Sequence, residues 1–560
     1  MKSAALAFCL MALLATGVAH KRTRQTGPPE APSAPGPELP RTWVDTTMRP
    51  TSGRTLAVPA GGDLQAALDA AQPGDVVTLE AGATFRGPFT LRLKPGHEWI
   101  TIRTSASDAA LPPPGRRVAP AHAALMPKLE AGSGSVITTA PGAHHYRLIG
   151  LEIKPSNGVF LYNLVLLGGD ETTAERLPHH VIFDRCYLHG DPRKGTRRGI
   201  ALNASFAGVV DSYLADFKEA GADSQALAGW NGPGPFAIVN NHLEGAGENL
   251  IFGGGTPAVH NLVPSDIEIR FNHFFKPLVW RAGEPGYEGT AWTVKNLLEL
   301  KNARRVLVEG NLLENNWPQA QNGFAILLTV RTELDTAPWA VVEDVTFRSN
   351  VLRRAAAGVN ILGIDDSSPG GNGRTRDILF AGNLFEDIGV PGWGGSGALF
   401  QVLNGATGIV IDHNTALQRG SIIAADMAPS PGLVFSNNIT PHNEYGVFGS
   451  GSGSGLNAIA YYFLGSVFSR NVIVGALWGV RYPPDNFFPE SLEVVGCVDL
   501  TGRDYRLSPS SQFLHAGTDG LNIGADINAL SAALQAAQGQ TPEWVATQRP
   551  GESRPRKVRP

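Results

Sequence analysis

The chain has 560 residues, 17% of them charged, and a formal net charge of −4. A balance so close to neutral leaves no basic footprint for nucleic acid or an anionic membrane surface. With 66 glycines and 41 prolines, the composition suits a turn-rich all-β body rather than a helical one.

Residues 1–19 read as a secretory signal. Lys2 gives the positive start, Ala4 to Ala15 the apolar stretch, and Gly17-Val18-Ala19 the small-residue cleavage site. That stretch is too short to span a bilayer and no longer apolar run follows, so no membrane span is expected. The protein is therefore expected to be secreted or periplasmic. Residues 20–53 follow as an extended linker, marked by Pro28, Pro29, Pro32, Pro35, Pro37 and Pro40. In Asp63 to Ala71 one helical face carries Leu64, Ala67, Leu68 and Ala71, with Asp63 as N-cap. Pro73-Gly74-Asp75 then turns the chain into a strand over Val76 to Leu79. A short helix entering a strand stack is a natural cap for the open end of a solenoid.

From Cys186 onward one phrase recurs: an apolar residue, two variable residues, a polar anchor, one variable residue, then usually another apolar residue. The anchors are Cys186, Ser212, Asn241, Asn272, Asn311, Asn350, Asn383, Asn414, Asn438 and Asn471, spaced 24 to 39 residues apart. Such a period means stacked supersecondary units, and short β-branched strands around a polar turn make each unit a coil of strands. Asn tolerates the left-handed backbone of a tight corner, and stacked amides hydrogen-bond along the column. The fold expected for residues 54–530 is one right-handed parallel β-helix of about ten to twelve coils with an Asn ladder and an N-terminal capping helix. Residues 531–560 are expected to hold a C-terminal helix and a disordered basic tail ending in Arg554, Arg556, Lys557 and Arg559. Cys186 and Cys497 lie about ten coils apart, on the order of 45 Å, too far for a disulfide. Cys186 reads as a buried small hydrophobe in an anchor slot.

The stretch AAQPGDVVTLEAGATFRG (70–87) resembles the N-terminal cap of the pectin-lyase-like parallel β-helix superfamily. DYRLSPSSQFLHAGTDGLNIGADI (504–527) looks like the last coil of such proteins. That resemblance speaks to fold, and this fold carries many functions.

The two longest coils end at Asn311 and Asn350, and excess length in a solenoid is loop, where function sits. In Lys295-Asn296-Leu297-Leu298-Glu299-Leu300-Lys301 the strand period puts Lys295, Leu297, Glu299 and Lys301 on one face. Aligned by strand end, Lys301, Arg331, Asp365/Asp366 and Asn404 form one column. A Glu-x-Lys at a strand end with an Arg one coil later is similar to the site of the chondroitinase B and alginate lyase family. The resemblance implies Lys301 as general base, Arg331 as general acid and Glu299 as a calcium ligand, with Glu248, Asn249 and Glu268 as the other candidate Ca2+ ligands. β-Elimination on a uronic acid needs a cation at the carboxylate, a base at C5 and a donor at the leaving O4. A lysine serves as base where cations crowd it, and Arg331 and Lys295 are the cations expected beside Lys301.

Two other readings stand beside the lyase. Asp365-Asp366 could act as the paired carboxylates of a polygalacturonase-like glycoside hydrolase, although an Asp pair before Ser-Pro-Gly-Gly is also a turn former. A non-catalytic adhesion solenoid would present the same exposed Glu, Lys and Arg as ordinary surface ion pairs. Trp292, Trp317, Trp339 and Trp393, with Trp280 and Tyr287, cluster in the same region and suit stacking on sugar rings or packing of loops. Lys295, Asp365, Asp366 and Asn404 with Trp292, Trp317, Trp339 and Trp393 make up the expected substrate-binding set. The partner expected is a polysaccharide met by a monomer, in a groove walled by the 279–295, 331–343 and 363–377 loops. His144-His145 and His179-His180 read as corner residues, and Gly253-Gly254-Gly255-Thr256 as a close turn near Lys301.

Overall fold

The computed structural model describes residues 36–333, 336–365, 373–476 and 481–539. The signal segment and the basic tail lie outside these residues. No helix among them is long and apolar enough to cross a membrane.

Each coil gives one strand to each of three long sheets, of 14, 13 and 13 strands. In one coil Ser265–Arg270 lies in the first sheet, His273–Phe275 in the second and Asn296–Leu300 in the third, and Ala303–Glu309 returns to the first. Pairing within the three sheets is parallel, except where Gly453–Ser454 closes the third sheet as an antiparallel strand. The protein is a parallel β-helix. Its stack runs past the ten to twelve coils expected because the rungs before Cys186 carry no Asn to mark them.

The core fills the bore. In the third sheet Leu298, Ile326, Val359, Phe400 and Ile423 stand in register, each at most 3% exposed. Parallel strands buried on the inner face favour such branched and aromatic side chains.

The polar column marks the corner between the first and second sheets. Asn272 N–H donates to Asn311 Oδ1 at 2.8 Å, Asn311 to Asn350 at 2.9 Å, and Asn350 to Asn383 at 2.9 Å. The pattern continues through Asn414, Asn438 and Asn471, and Ser212 and Cys186 extend it backward. Each amide also returns a bond to a backbone carbonyl one coil back, as Asn311 Nδ2 does to Ile269 O at 2.9 Å. Asn486 is a further rung, accepting from Asn471 N–H at 2.9 Å. It sits outside the repeat phrase.

One expectation needs correction. The left-handed residue at this corner is the one before each anchor, such as Asp211, Asn240, Phe271, Ser349 and His413 with φ between 49° and 60°. The anchor Asn is selected for its amide, which satisfies a buried N–H of the coil before it, and not for its backbone. Cys186 is fully buried and both cysteines are free, as their separation requires.

Leu64–Ala70 forms the capping helix, with Asp63 accepting from Ala66 N–H at 2.9 Å and Leu64 and Leu68 buried on the first rungs. Residues 36–53 are extended, as the prolines imply, yet they are strapped along the first sheet. Glu38 N–H donates to Asp344 Oδ1, Arg41 N–H to Asp266 Oδ1, and Arg147 to Thr46 O. At the other end, 504–527 does not stack as a coil. Asp504–Leu507 pairs antiparallel with Cys497–Asp499, and Phe513 and Ile523 pack outside the second sheet on Ile439 and Val472. The helix Ile527–Ala537 continues this cover through Leu530 on Leu312, Val351 and Leu384. Outward leucines on that sheet drive the fold-back, because water would otherwise meet them.

Candidate active site

The third sheet carries a groove of about 390 Å³ on its outer face. Glu299, Lys301 and Arg331 line it together. Register explains the meeting. Glu299 pairs with Leu327, which pairs with Asn360, which pairs with Gln401, so these side chains form one outward column. Arg331 N–H donates to Lys301 O at 3.2 Å, so the arginine rises beside the lysine at the strand ends. Lys301 Nζ lies 3.3 Å from Glu299 Oε1, with the lysine side chain 19% exposed and the glutamate 1%. Arg331 is anchored by the buried Asp365, Nε to Oδ1 at 3.2 Å.

Strict alternation fails at the start of this strand. Leu297 joins Leu298 in the core, and Asn296 turns outward to donate from Nδ2 to Glu299 Oε2 at 3.1 Å. The corner entering the third sheet places two successive residues differently from a flat strand, so Leu297 does not share the face of Glu299.

Lys295 instead enters a buried charge chain. Its Nζ lies 2.7 Å from both Asp223 and Glu248, and Gln225 donates to the other Glu248 oxygen at 2.8 Å. Burial, with the nearby Glu299 charge, pushes the Glu248 carboxyl up to about 7. Burial would lower the Lys295 ammonium, but Glu248, Glu299 and Asp223 together raise it. Lys276 is fully buried, donates to Ala246 O at 2.8 Å and to Asn249 Oδ1 at 3.2 Å, and is pulled down to about 7 by burial.

Calcium does not fit these residues. Asn249 Oδ1 already receives Lys276, and Asn249 Nδ2 faces Leu243 O and Phe275 O. Glu248 is held by Lys295, and Glu268 sits on the first sheet against Arg270 at 3.2 Å. The three carboxylates Asp223, Glu248 and Glu299 are matched by the three ammoniums Lys276, Lys295 and Lys301, which leaves no net negative charge to hold a hard dication.

The tryptophans divide. Trp280, Trp292 and Trp317 are buried together on Ala246 and Val294, and Trp393 packs on the same cluster. The buried Lys218 Nζ lies 5.0 Å from the Trp292 ring, and Arg281 lies 4.7 Å over Trp393. They rivet the 276–295 and 389–399 loops together at the strand starts and shape a separate hollow of about 320 Å³. Trp339 donates to Leu262 O at 3.1 Å and meets His260 edge-on. None of these five rings lines the groove.

Asn404 is a corner residue, with φ 52° and Nδ2 donating to Ile364 O at 2.9 Å. Asp365 has its carboxyl beneath Arg331 and not among the groove's lining residues, and Asp366 lies outside the described residues. Of the expected column, Lys301, Arg331 and Asp365 meet, and Asn404 reaches the backbone beside Asp365 without lining the groove. The groove also takes Gln321, Asn322, Phe324, Asn360 and Met427, which sequence reasoning passed over. Asn360 was findable, being a polar residue at an outward position inside the strand Ala357–Leu362. Gln321, Asn322 and Met427 come from connections whose paths have no period to read.

No family model matches the chain, and no curated protein matches it. Among solved structures it is similar to a mannuronic acid specific polysaccharide family 6 lyase from human gut microbiota, at 11% identity over 78% of this chain and 83% of that one, with a TM-score of 0.42. It is similar to the PL6 family alginate lyase AlyGC at 14% identity, over 84% of this chain and 58% of that one, TM-score 0.42. To pectate lyase Pel9A it is 13% identical, over 85% of this chain and 96% of that one, TM-score 0.28.

Proposed function

We propose that the protein is a polysaccharide lyase, acting outside the cytoplasm, that cleaves a uronate-bearing polysaccharide by β-elimination in this groove. The observation that carries the reading is the meeting of Lys301 and Arg331 at one rim, with the buried Glu299 beneath the lysine. Arg331 clamps the uronate carboxylate, so the charge that develops when C5 loses its proton is met by a guanidinium already in place. Lys301, as the free amine, takes the C5 proton, the C4–C5 double bond forms as the C4–O4 bond breaks, and the Lys301 ammonium so formed gives its proton to the leaving O4. Glu299, 3.3 Å from the Lys301 nitrogen, holds that side chain in place, and Asp365 holds Arg331.

The rival hydrolytic reading loses its exposed carboxylate pair, because Asp365 is spent on Arg331. Purified protein offered pectate, alginate and glycosaminoglycans should release products with the absorbance of an unsaturated uronate on at least one of them. Binding without any unsaturated product would leave the groove as an adhesive face. Reducing ends without absorbance would move the assignment to hydrolysis.

A further inference from the structure

Four histidines and a fifth gather far from the groove, on the outer face of the first sheet near the capped end. His144 and His145 open the strand His144–Ile149, and His179 and His180 open His179–Asp184 one rung on, with His144 and His179 in register. In a regular strand neighbouring side chains point to opposite faces. Here His145 and His180 take left-handed φ of 58° and 53°, so both rings of each pair lie side by side, Nδ1 to Nδ1 at 2.8 Å. The same backbone kink recurs at Asp266, Arg305, Asp344 and Asp377, so it belongs to the fold. Among the described residues, only these two rungs present paired imidazoles.

The rungs then stack ring on ring. His144 lies on His179 at 4.6 Å and His145 on His180 at 4.5 Å, with His97 within 5.6 Å of His145. Ligand atoms of His145, His179 and His180 all fall within 4.8 Å of one another. We infer that His145, His179 and His180 form a binding site for a late first-row transition-metal ion such as Cu2+ or Zn2+.

The geometry is nearly closed. Imidazole nitrogens bind such ions at about 2.0–2.1 Å, so two ligands on one ion stand at most about 4.2 Å apart, and His145 or His180 must turn out of the 7° stack they share for both to aim a lone pair at one ion. A cavity of about 530 Å³ beside His145 and His180, lined also by Asp45, Glu98 and Trp99, leaves one side open for water or an anion as a further ligand. Neutral rings keep their lone pairs for a metal. Stacking and hydrogen bonding alone would satisfy one proton per pair. A third ring nitrogen lies within 4.8 Å of the other two.

The test uses the untagged full chain, independently of any lyase activity. Titration with Cu2+ and with Zn2+ should show one tight equivalent per chain, and Cu2+-loaded protein should give an electron-spin spectrum split by several nitrogens. His145→Ala and His180→Ala should each weaken binding by more than about tenfold, while His260→Ala should leave it unchanged. No stoichiometric uptake, or uptake with oxygen-only coupling on the wild-type protein, would overturn the site even if the variants failed to fold. Tight uptake unaffected by a folded His180→Ala protein would overturn it as well.

Discussion

Two stacks of polar side chains run along the middle coils of the solenoid, and they obey different rules. At the first corner each buried Asn repeats its neighbour's bonds, one to the next coil's amide and one back to a carbonyl. Across the outer face of the third sheet no rung repeats: Gln225 serves Glu248, Asn296 serves Glu299, and Asn360 is bonded to Gln401. A column that repeats answers a demand the fold makes at every coil. A column that varies answers a demand made at one place. The first kind is neutral and shielded, whereas the second concentrates paired charge beside an opening.

The largest effect should come from the proton-accepting position. Lys301→Arg keeps the pair to Glu299, so melting temperature should hold, but guanidinium cannot accept the C5 proton and kcat should fall by about a thousandfold. Lys301→Ala should lose turnover too and also cost stability, about 1–3 kcal/mol, because it strips a partner from a buried carboxylate. Unchanged turnover in both variants would end the lysine's claim.

Next is the ladder. Asn311→Ala orphans the Asn272 N–H and the Ile269 carbonyl at once, and should cost about 3 kcal/mol in denaturant unfolding while a folded protein keeps its turnover per site. A cost well below about 1 kcal/mol would show that the column is not held by these bonds.

Asp365→Asn should be milder. It loosens Arg331 without removing it, so kcat/KM on a uronate polymer should fall by about tenfold, carried mainly by KM. Complete loss here, with activity surviving Lys301→Arg, would transfer the chemistry to hydrolysis.

The smallest effect separates neutral from charged stacks by pH. Glu248 titrates near 7 in the folded protein against an ordinary 4.5, so between those values the folded state keeps a proton that the unfolded chain has lost. Stability therefore falls as pH rises from 4.5 to about 7 and levels above it. Denaturation curves of Glu248→Gln across that window should lack this decline, whatever their offset. An identical slope in variant and wild type would place the raised group elsewhere. The Asn ladder, having nothing to titrate, should add no slope of its own.

Much was legible because repetition is a local signal. The anchors announced the ladder by their spacing, Asp63 and the Leu64/Leu68 pair announced the cap, and the Glu299-x-Lys301 alternation put both side chains on the groove. Legibility ended wherever a residue's role depended on a neighbour a whole coil away. Lys295 sits two positions before Leu297 in a strand pattern, yet a corner redirects it to Asp223 and Glu248. Trp292 and Trp317 looked like sugar platforms and became a loop core around Lys218, because the loops carrying them fold onto one another.

The amino-acid sequence by itself determined the repeat, the class of fold and the rung on which each anchor sits, since strand periodicity and an amide's need for partners act within one coil. Tertiary structure alone decided which charges face each other, that the strap at 36–53 and the fold-back after Cys497 cover the outer faces, and that two His-His dipeptides become one cluster. Those outcomes rest on register between coils some thirty residues apart, where a shift of a single residue would turn every side chain to the other face.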